Sequence, residues 1–366
     1  MVDVDVLRAA IGAVQDPELH RSLDELGMLR DVTIGPGGTV HVMVALTVPG
    51  CPLKDTITAD ITAAASTVDG VAGVSVEFTS MSDADRAGIV EQVRGAATRE
   101  VTIGRAGSKT RVIGIASGKG GVGKSSVSAN LAVALAARGN RVGLIDADVW
   151  GYSIPKMLGV DRQPVVLDDM LIPPEAYGVA VMSMDFFIAP DQAVIWRGPM
   201  LHKALEQFLV DVLWDEPDYL LIDMPPGTGD VAISLSQFLP RSETIVVTTP
   251  QPTAGRVAVK AGLMAEKVNQ DVLGVVENMS WFTGDDGKRY TIFGEGGGAA
   301  LAEHLKTDLL AQVPLEPTVR DGADRGLPAV AVDPDGEAVA AFNRLAQAVE
   351  DRKPHVRTHP ELIVNN

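Results

Sequence analysis

The sequence predicts an α/β protein with a mostly parallel sheet, preceded by a small α+β domain. After residue 110, five short apolar runs are separated by helical patterns. Continuous apolar runs of this kind are typical of parallel strands covered by helices on both faces. Before residue 83, helix and strand patterns alternate around a Gly-Pro-Gly-Gly turn signal at residues 35–38. A length of 366 residues is also long for one core and favours two domains.

The N-terminal domain is predicted over residues 1–82. Apolar spacing predicts helices over residues 4–14 and 54–68, and strands over residues 27–34, 39–48 and 74–78. Residues 83–108 are charged and rich in Gly and Ala, which predicts a short helix and a linker.

The second domain is predicted over residues 109–350. Its strands are predicted at residues 111–117, 141–146, 219–223, 244–249 and 272–276. Residues 351–366 are polar and are predicted to be a disordered tail.

Charge and hydropathy limit the partners that we expect. The net charge of −17 argues against non-specific binding of nucleic acid. No apolar run approaches the roughly 20 residues that a membrane helix needs, and acidic residues stand near the start, where a signal peptide is basic. We therefore expect a cytoplasmic protein without a nucleic-acid or membrane partner.

A phosphate-binding loop is the strongest functional signal. Residues 118–125 match the pattern G-x-x-x-x-G-K-[ST] between an apolar strand and a helical segment that Gly139 stops. Glycines let the loop backbone approach phosphates with its N–H groups, and the helix N-terminus reinforces this. The predicted nucleotide-binding residues are Gly118, Lys119, Gly120, Gly121, Val122, Gly123, Lys124, Ser125 and Ser126. Lys124 is expected to reach the β- and γ-phosphates, and Ser125 to bind Mg²⁺.

Three carboxylates follow predicted strands. Asp223 ends one strand, and Asp146 and Asp148 stand at the end of another. Ligands of open α/β sheets bind beyond the carboxyl ends of the strands, although a single acid there is often only a helix cap. We predict Asp223 as the aspartate on the Mg²⁺ side of an ATP site. Asp148 is the candidate for positioning the attacking water. Asp146 is a candidate either for a direct link to the metal or for a residue that holds a metal ligand.

A second lysine in the loop gives the motif its particular form. Lys119 makes the motif SGKGGVGKSS, which resembles the deviant P-loop ATPases related to MinD and to nitrogenase iron protein. The resemblance implies that Lys119 reaches the phosphates of the opposite subunit, where it offsets charge as an arginine finger does. The alternative is a solvated loop lysine.

Further blocks narrow the resemblance. They are DADVWGYSIPKMLG (146–159), VIWRGPM (194–200), DYLLIDMPPGTGD (218–230), TTPQ (248–251), ENMS (277–280) and FGEGGG (293–298). Together they resemble the Mrp/ApbC family of iron–sulfur cluster carriers with ATPase activity, over residues 111 to about 345. The resemblance implies a homodimer that binds ATP between its subunits and that exchanges clusters with iron–sulfur donor or recipient proteins. It also makes Asn278 a candidate adenine contact, with a turn-stabilising Asn as the alternative.

The N-terminal segment has a resemblance of its own. QDPEL (15–19), DELGML (24–29) and TVPGCPLKD (47–55) resemble a small domain that is fused to many bacterial Mrp proteins and also occurs alone in iron–sulfur assembly. Asp16, Glu18 and Cys51 are its candidate metal ligands. Cys51 follows a predicted strand and stands near a predicted helix N-terminus, which lowers the pKa of a thiol. The alternative for Cys51 is a small buried packing residue.

The hairpin predicted over residues 280–293 departs from the family pattern. Cluster-carrying members have a C-x-x-C pair after the Asn-Met-Ser block, and two subunits share one [4Fe–4S] cluster there. This chain has Gly284-Asp285-Asp286-Gly287 at the tip, and its single cysteine is Cys51. Carboxylates are poor replacements for thiolates, so we interpret the two aspartates as a solvated turn. If a cluster binds, Cys51 from each of two subunits is the only thiol source in the protein.

Three functions remain open from the sequence. The first is an ATPase of iron–sulfur cluster assembly or delivery. The second is a positioning switch that resembles MinD, against which stand the fused N-terminal domain and a final segment, HVRTHPELIVNN, without a basic amphipathic helix. The third is an ATPase that has kept the fold and lost the cluster.

Overall fold

The computed structural model describes residues 2–48, 53–94, 101, 103–104, 107–148, 151–188, 198–227, 230–268 and 270–352. The predicted ligand Cys51, most of the 194–200 block and the tail after residue 352 lie outside these residues.

The described residues of the N-terminal segment form three helices and three strands. The helices are α1 (Val4–Gly12), α2 (Lys54–Ser66) and α3 (Asp83–Arg94), and the strands are β1 (Leu29–Ile34), β2 (Thr39–Leu46) and β3 (Gly73–Ser80). Asp3 caps α1 by accepting hydrogen bonds from the N–H groups of Asp5 and Val6. Strand β2 pairs antiparallel with β1 and parallel with β3. This agrees with the elements predicted from the sequence, within a few residues at each end.

The remainder of the chain alternates strands and helices. The strands are β4 (Arg111–Ser117), β5 (Val142–Asp146), β6 (Val165–Leu167), β7 (Met170–Ile172), β8 (Glu175–Ala176), β9 (Val179–Ser183), β10 (Tyr219–Asp223), β11 (Glu243–Thr248), β12 (Asp271–Asn278), β13 (Phe282–Thr283), β14 (Arg289–Tyr290) and β15 (Leu309–Val313). The helices are α4 (Lys124–Ala137), α5 (Ile154–Met157), α6 (Gly198–Val210), α7 (Asp230–Phe238), α8 (Pro252–Lys267), α9 (Gly297–His304), α10 (Pro317–Arg325), α11 (Ala329–Val332) and α12 (Glu337–Asp351).

An eight-stranded sheet in the order β15-β12-β11-β4-β10-β5-β9-β8 organises this region. Every neighbouring pair is parallel except β8 with β9. The predicted mostly parallel α/β fold is therefore confirmed. Helix α4 is buried along most of its length, and α12 packs a stripe of Phe342, Leu345 and Val349 into the same core.

The chain divides into two compact units, and a β-hairpin joins the first unit from far along the sequence. The first unit comprises residues up to 100 together with Pro164–Pro173 and Asp211–Leu213. In this unit, Leu167, Met170 and Ile172 of the antiparallel pair β6–β7 are buried in the core with the N-terminal helices. The sequence did not predict this membership, and the predicted limits 1–82, 83–108, 109–350 and 351–366 stay predictions.

Among the described residues, no helix has the length and apolarity that crossing a membrane requires.

Candidate functional site: a phosphate loop beside buried carboxylates

The predicted phosphate loop joins the end of β4 to the start of α4. Gly121 and Gly123 adopt left-handed φ values of 79° and 77°, which favour glycine. At Gly118 a side chain is excluded for another reason, since a Cβ there would stand 2.3 Å from the backbone nitrogen of Ala258 in α8. The glycine spacing of the motif is therefore required by backbone conformation and by close packing.

Lys124 and Asp223 form a buried ion pair at the base of this loop. Lys124 Nζ lies 2.7 Å from Asp223 Oδ2, and the side chains are 6% and 0% exposed. Ser125 Oγ donates to the same oxygen at 2.7 Å, and Lys124 Nζ lies 3.3 Å from Ser125 Oγ. On the other side of the carboxylate, Ser128 Oγ lies 2.6 Å from Asp223 Oδ1. The structure thus brings together the predicted lysine, serine and aspartate, and adds a serine that the sequence analysis did not single out.

These oxygen donors suit a magnesium ion. The Ser125 hydroxyl and the Asp223 carboxylate are hard oxygen ligands of the type that Mg²⁺ takes beside nucleotide phosphates. Both already contact a cation, the ammonium group of Lys124. The residues present therefore fit the ion.

Asp146 is adjacent to Asp223 but is held by the backbone. The two residues are register partners at the ends of the neighbouring strands β5 and β10. Oδ2 of Asp146 accepts hydrogen bonds from the N–H groups of Ser153 at 2.9 Å and Ile154 at 3.1 Å. Burial, with a smaller contribution from the negative charge of Asp223, raises the pKa of Asp146 to about 7. Asp146 therefore fixes the start of α5 next to the site.

A cavity of about 310 Å³ lies along the loop. It is lined by residues 119–126 and, among others, by Asp148, Gly151 and Pro226. Asp148 is 8% exposed, and its Oδ1 accepts a hydrogen bond from the N–H of Gly151 at 3.1 Å. Its position on the cavity wall is compatible with the predicted water-positioning role, which stays a prediction.

Lys119 belongs to the loop, whereas Asn278 contacts the loop from the end of β12. Lys119 is half-buried and lines the cavity, and its Nζ lies 3.3 Å from Oε1 of Gln251. Asn278 donates from Nδ2 to the carbonyl oxygen of Val122 at 2.9 Å, so its amide supports the loop backbone. The predicted adenine contact of Asn278 stays a prediction.

The β13–β14 hairpin is held by one glutamate of α12. Glu337 accepts hydrogen bonds from Trp281 Nε1 at 3.0 Å and Thr283 Oγ1 at 2.8 Å, and it pairs with Arg289 at 3.1 Å. The guanidinium carbon of Arg289 lies 4.3 Å from the Trp281 ring centroid. These contacts fix the arms of the hairpin.

Asp286 is used inside the hairpin tip. It accepts hydrogen bonds from the N–H of Lys288 at 3.1 Å and from the Tyr290 hydroxyl at 2.9 Å. The hydrogen bonds from Lys288 and Tyr290 lower the pKa of Asp286, and the tip is exposed. The geometry agrees with the interpretation of the two aspartates as a solvated turn.

A buried glutamate, Glu277, lies at the base of the hairpin and was not predicted as a functional residue from the sequence. Glu277 is 1% exposed and accepts hydrogen bonds from Ser280 Oγ at 2.9 Å, Gln312 Nε2 at 2.8 Å and the N–H of Gly298 at 2.5 Å. Glu277 and Ser280 belong to the ENMS block, and Gly298 ends the FGEGGG block. Their separation by about 20 residues hid the connection between the two blocks.

The N-terminal candidates do not form a metal cluster among the described residues. Asp16 is 4% exposed, and its Oδ1 accepts hydrogen bonds from the N–H groups of Glu18 and Leu19, both at 2.9 Å. Burial raises the pKa of Asp16 above its ordinary value despite these hydrogen bonds. Within the part of the chain that the structure describes, no group of three or more His, Cys, Asp or Glu side chains could hold a metal. Cys51 falls outside that part.

Two family models match the chain. Residues 108–350 match the family described as NUBPL iron-transfer P-loop NTPase, and residues 5–78 match the family described as iron–sulfur cluster assembly protein.

Curated relatives match over nearly the full length. A protein of Mycobacterium tuberculosis named iron–sulfur cluster carrier protein is 46% identical to this chain, over 95% of this chain and 93% of its own length. The corresponding protein of Synechocystis is 42% identical over 95% of this chain and 97% of its own.

Solved structures agree in fold. A nucleotide-binding protein of Archaeoglobus fulgidus in complex with ADP is 32% identical, with a TM-score of 0.55, over 71% of this chain and 97% of its own. The cell division ATPase MinD of Pyrococcus furiosus is 28% identical, with a TM-score of 0.51, over 66% of this chain and 98% of its own.

Proposed function

Since the chain belongs to the family of NUBPL iron-transfer P-loop NTPases, we propose that it hydrolyses Mg·ATP as a homodimer and uses the hydrolysis to deliver iron–sulfur clusters. The observation that carries the ATP part is the buried constellation of Lys124, Ser125 and Asp223 beside the loop cavity. The carrier part is supported by relatives of that name that match 95% of the chain. The proposal places the activity in the cytoplasm, where thiols stay reduced.

Each residue of the site has its own role in phosphoryl transfer. Lys124 exchanges Asp223 for the β- and γ-phosphate oxygens when nucleotide enters, and the loop N–H groups hold the phosphates. Ser125 and Asp223 hold Mg²⁺, which neutralises charge on the phosphate oxygens when it is bound. Asp148 orients the attacking water from the cavity wall, and Lys119 of a second copy offsets the charge that develops on the γ-phosphate.

The cluster is the cargo of this reaction, and its ligands differ from the usual pair. The hairpin tip offers Asp285 and Asp286, and Asp286 is already bound to Lys288 and Tyr290 within the turn. We therefore assign the thiolates to Cys51 from each of two subunits, with oxygen, nitrogen or a small thiol completing the coordination. Iron–sulfur donor and recipient proteins are the expected partners.

A second candidate is an ATPase that has kept the fold and lost the cargo. The Gly-Asp-Asp-Gly tip favours it, because carboxylates are poor ligands for a cluster. The positioning switch has weaker support, since the similarity to MinD covers 66% of the chain, whereas the carrier relatives cover 95%.

Anaerobic reconstitution with iron and sulfide separates the carrier from the cluster-free ATPase. We expect the wild-type protein to hold iron and sulfide with visible thiolate-to-iron absorption after desalting, and Cys51→Ser to lose both. An Asp285→Asn/Asp286→Asn variant is the matched control at the hairpin and should retain the cluster. A protein that hydrolyses ATP but holds no cluster in any variant would favour the second candidate. A cluster that survives in Cys51→Ser would contradict the assignment of the thiol.

A further inference from the structure

Ser128 is a fully buried polar residue in an apolar stretch of α4. It is 0% exposed, one helical turn after Lys124, and its neighbours Val127, Ala129 and Leu131 are core residues. A buried hydroxyl is costly unless it is hydrogen-bonded. Its Oγ lies 2.6 Å from Asp223 Oδ1 and 3.1 Å from the carbonyl oxygen of Lys124. Because a hydroxyl has one proton, the shorter contact to the charged oxygen is its main hydrogen bond.

The two oxygens of Asp223 have separate partners. Oδ2 accepts from Lys124 and Ser125, whereas Oδ1 has Ser128. The torsion that rotates a carboxylate about its Cβ–Cγ bond is soft, so partners on one oxygen alone leave its plane loosely defined. Ser128 on the opposite oxygen defines that plane and keeps Oδ2 directed at Ser125.

We propose that Ser128 is a positioning residue for the divalent cation that binds with nucleotide. It acts through Asp223, whose Oδ2 it holds on the side of Ser125, and it does not itself touch the cation or the phosphates. The inference rests on the proposed function, because it takes Mg²⁺ to be held by Ser125 and Asp223. Hydrogen-bonded partners behind metal ligands typically change metal affinity by about 10- to 100-fold when they are removed.

The test measures metal binding directly, with Mn²⁺ as the spectroscopic probe and ADP as the nucleotide. The electron paramagnetic resonance signal of unbound Mn²⁺ gives the dissociation constant of Mn²⁺ from the full-length protein in the presence of ADP. We expect Ser128→Ala to raise that constant by about 10- to 100-fold, while the affinity for a fluorescent ADP analogue in EDTA stays unchanged. Ser128→Cys, which keeps the volume and a weak donor, should fall between wild type and Ser128→Ala, and it also serves if the alanine variant folds poorly.

Ser242→Ala is the matched control. Ser242 is also a buried serine, whose Oγ donates to the carbonyl oxygen of Leu239 and accepts from Gln270. Its loss removes a buried hydroxyl away from the loop and should leave the Mn²⁺ constant unchanged.

The outcomes separate the inference from the function on which it rests. Unchanged Mn²⁺ binding in Ser128→Ala and Ser128→Cys overturns the inference and leaves the proposed function intact. Loss of metal-free ADP binding together with Mn²⁺ binding also overturns it, because the serine would then support the loop. Failure of wild-type protein to bind Mn²⁺ with ADP contradicts the proposed function itself.

Discussion

Lys119 Nζ lies 3.3 Å from Oε1 of Gln251 in its own chain, and Thr249 Oγ1 lies 3.4 Å from the same oxygen. Gln251 is the residue before α8, so the loop lysine is directed at the start of that helix. A single long hydrogen bond to a neutral amide is weak compared with an ion pair to phosphate. In the proposed homodimer, exchange of this partner for phosphates of the second copy would therefore cost little.

Removal of Lys119 should reduce ATP turnover strongly. Charge-offsetting residues supplied across an interface typically contribute about 10³- to 10⁵-fold to the rate. We expect kcat of Lys119→Ala to fall by a factor that approaches this range, measured as phosphate release at saturating Mg·ATP. Lys260→Ala removes an exposed lysine of α8 and should turn over like wild type. Equal turnover rates of the two variants would show that Lys119 takes no part in hydrolysis.

Leu167 should stabilise the N-terminal unit although it lies more than 60 residues further along the sequence. It is 0% exposed in the core of that unit, whereas its neighbour Val166 in β6 is 57% exposed. Truncation of a buried leucine typically costs about 2–5 kcal/mol. We expect Leu167→Ala to lower hydrogen-exchange protection in α1 and β2, and Val166→Ala to leave it unchanged. Unchanged protection in both variants would mean that the hairpin is not part of the core.

Glu337 should make the attachment of the hairpin dependent on pH. Hydrogen bonds from Trp281 and Thr283, with a smaller contribution from Arg289, lower the pKa of Glu337 below its ordinary value. A carboxylate whose pKa is lower in the folded state stabilises that state above its unfolded pKa, and this stabilisation is lost as the pH falls through the folded pKa. The Trp281 indole N–H resonance should therefore shift at a lower pH than an ordinary glutamate would impose.

Two variants check this assignment. Glu337→Gln removes the titrating group and should abolish that low-pH step. Glu295→Gln, at an exposed position in the FGEGGG block, should retain it. A step that persists in Glu337→Gln would assign the titration to another group.

The sequence predicted the elements whose patterns are long or whose motifs are local. Strands β4 and β10 have the predicted bounds because their apolar runs are continuous, and the loop glycines lie where φ and packing require them. The β6–β7 hairpin escaped because strands of three residues hold too little periodicity to be recognised. Its membership in the N-terminal unit depends on contacts between distant segments.

The polar contacts of the site were beyond the sequence for a similar reason. In the sequence, Ser128 resembles the other small residues of α4. Its contact with Asp223 forms only because β10 lies beside that helix in the folded protein. The contacts of Glu277 with Gly298 and of Lys119 with Gln251 join positions that are 21 and 132 residues apart. Only the folded sheet brings such pairs together.

Phosphate release by Lys124→Ala is the sharpest test of an ATP site built on Lys124 and Asp223. We expect turnover to fall by about 100-fold or more, because the ammonium group stabilises the charge of the transferring phosphate. Lys267→Ala, at an exposed position of α8, is the control, and circular dichroism confirms that each variant is folded. Turnover near the wild-type rate in a folded Lys124→Ala protein would show that hydrolysis does not depend on this site.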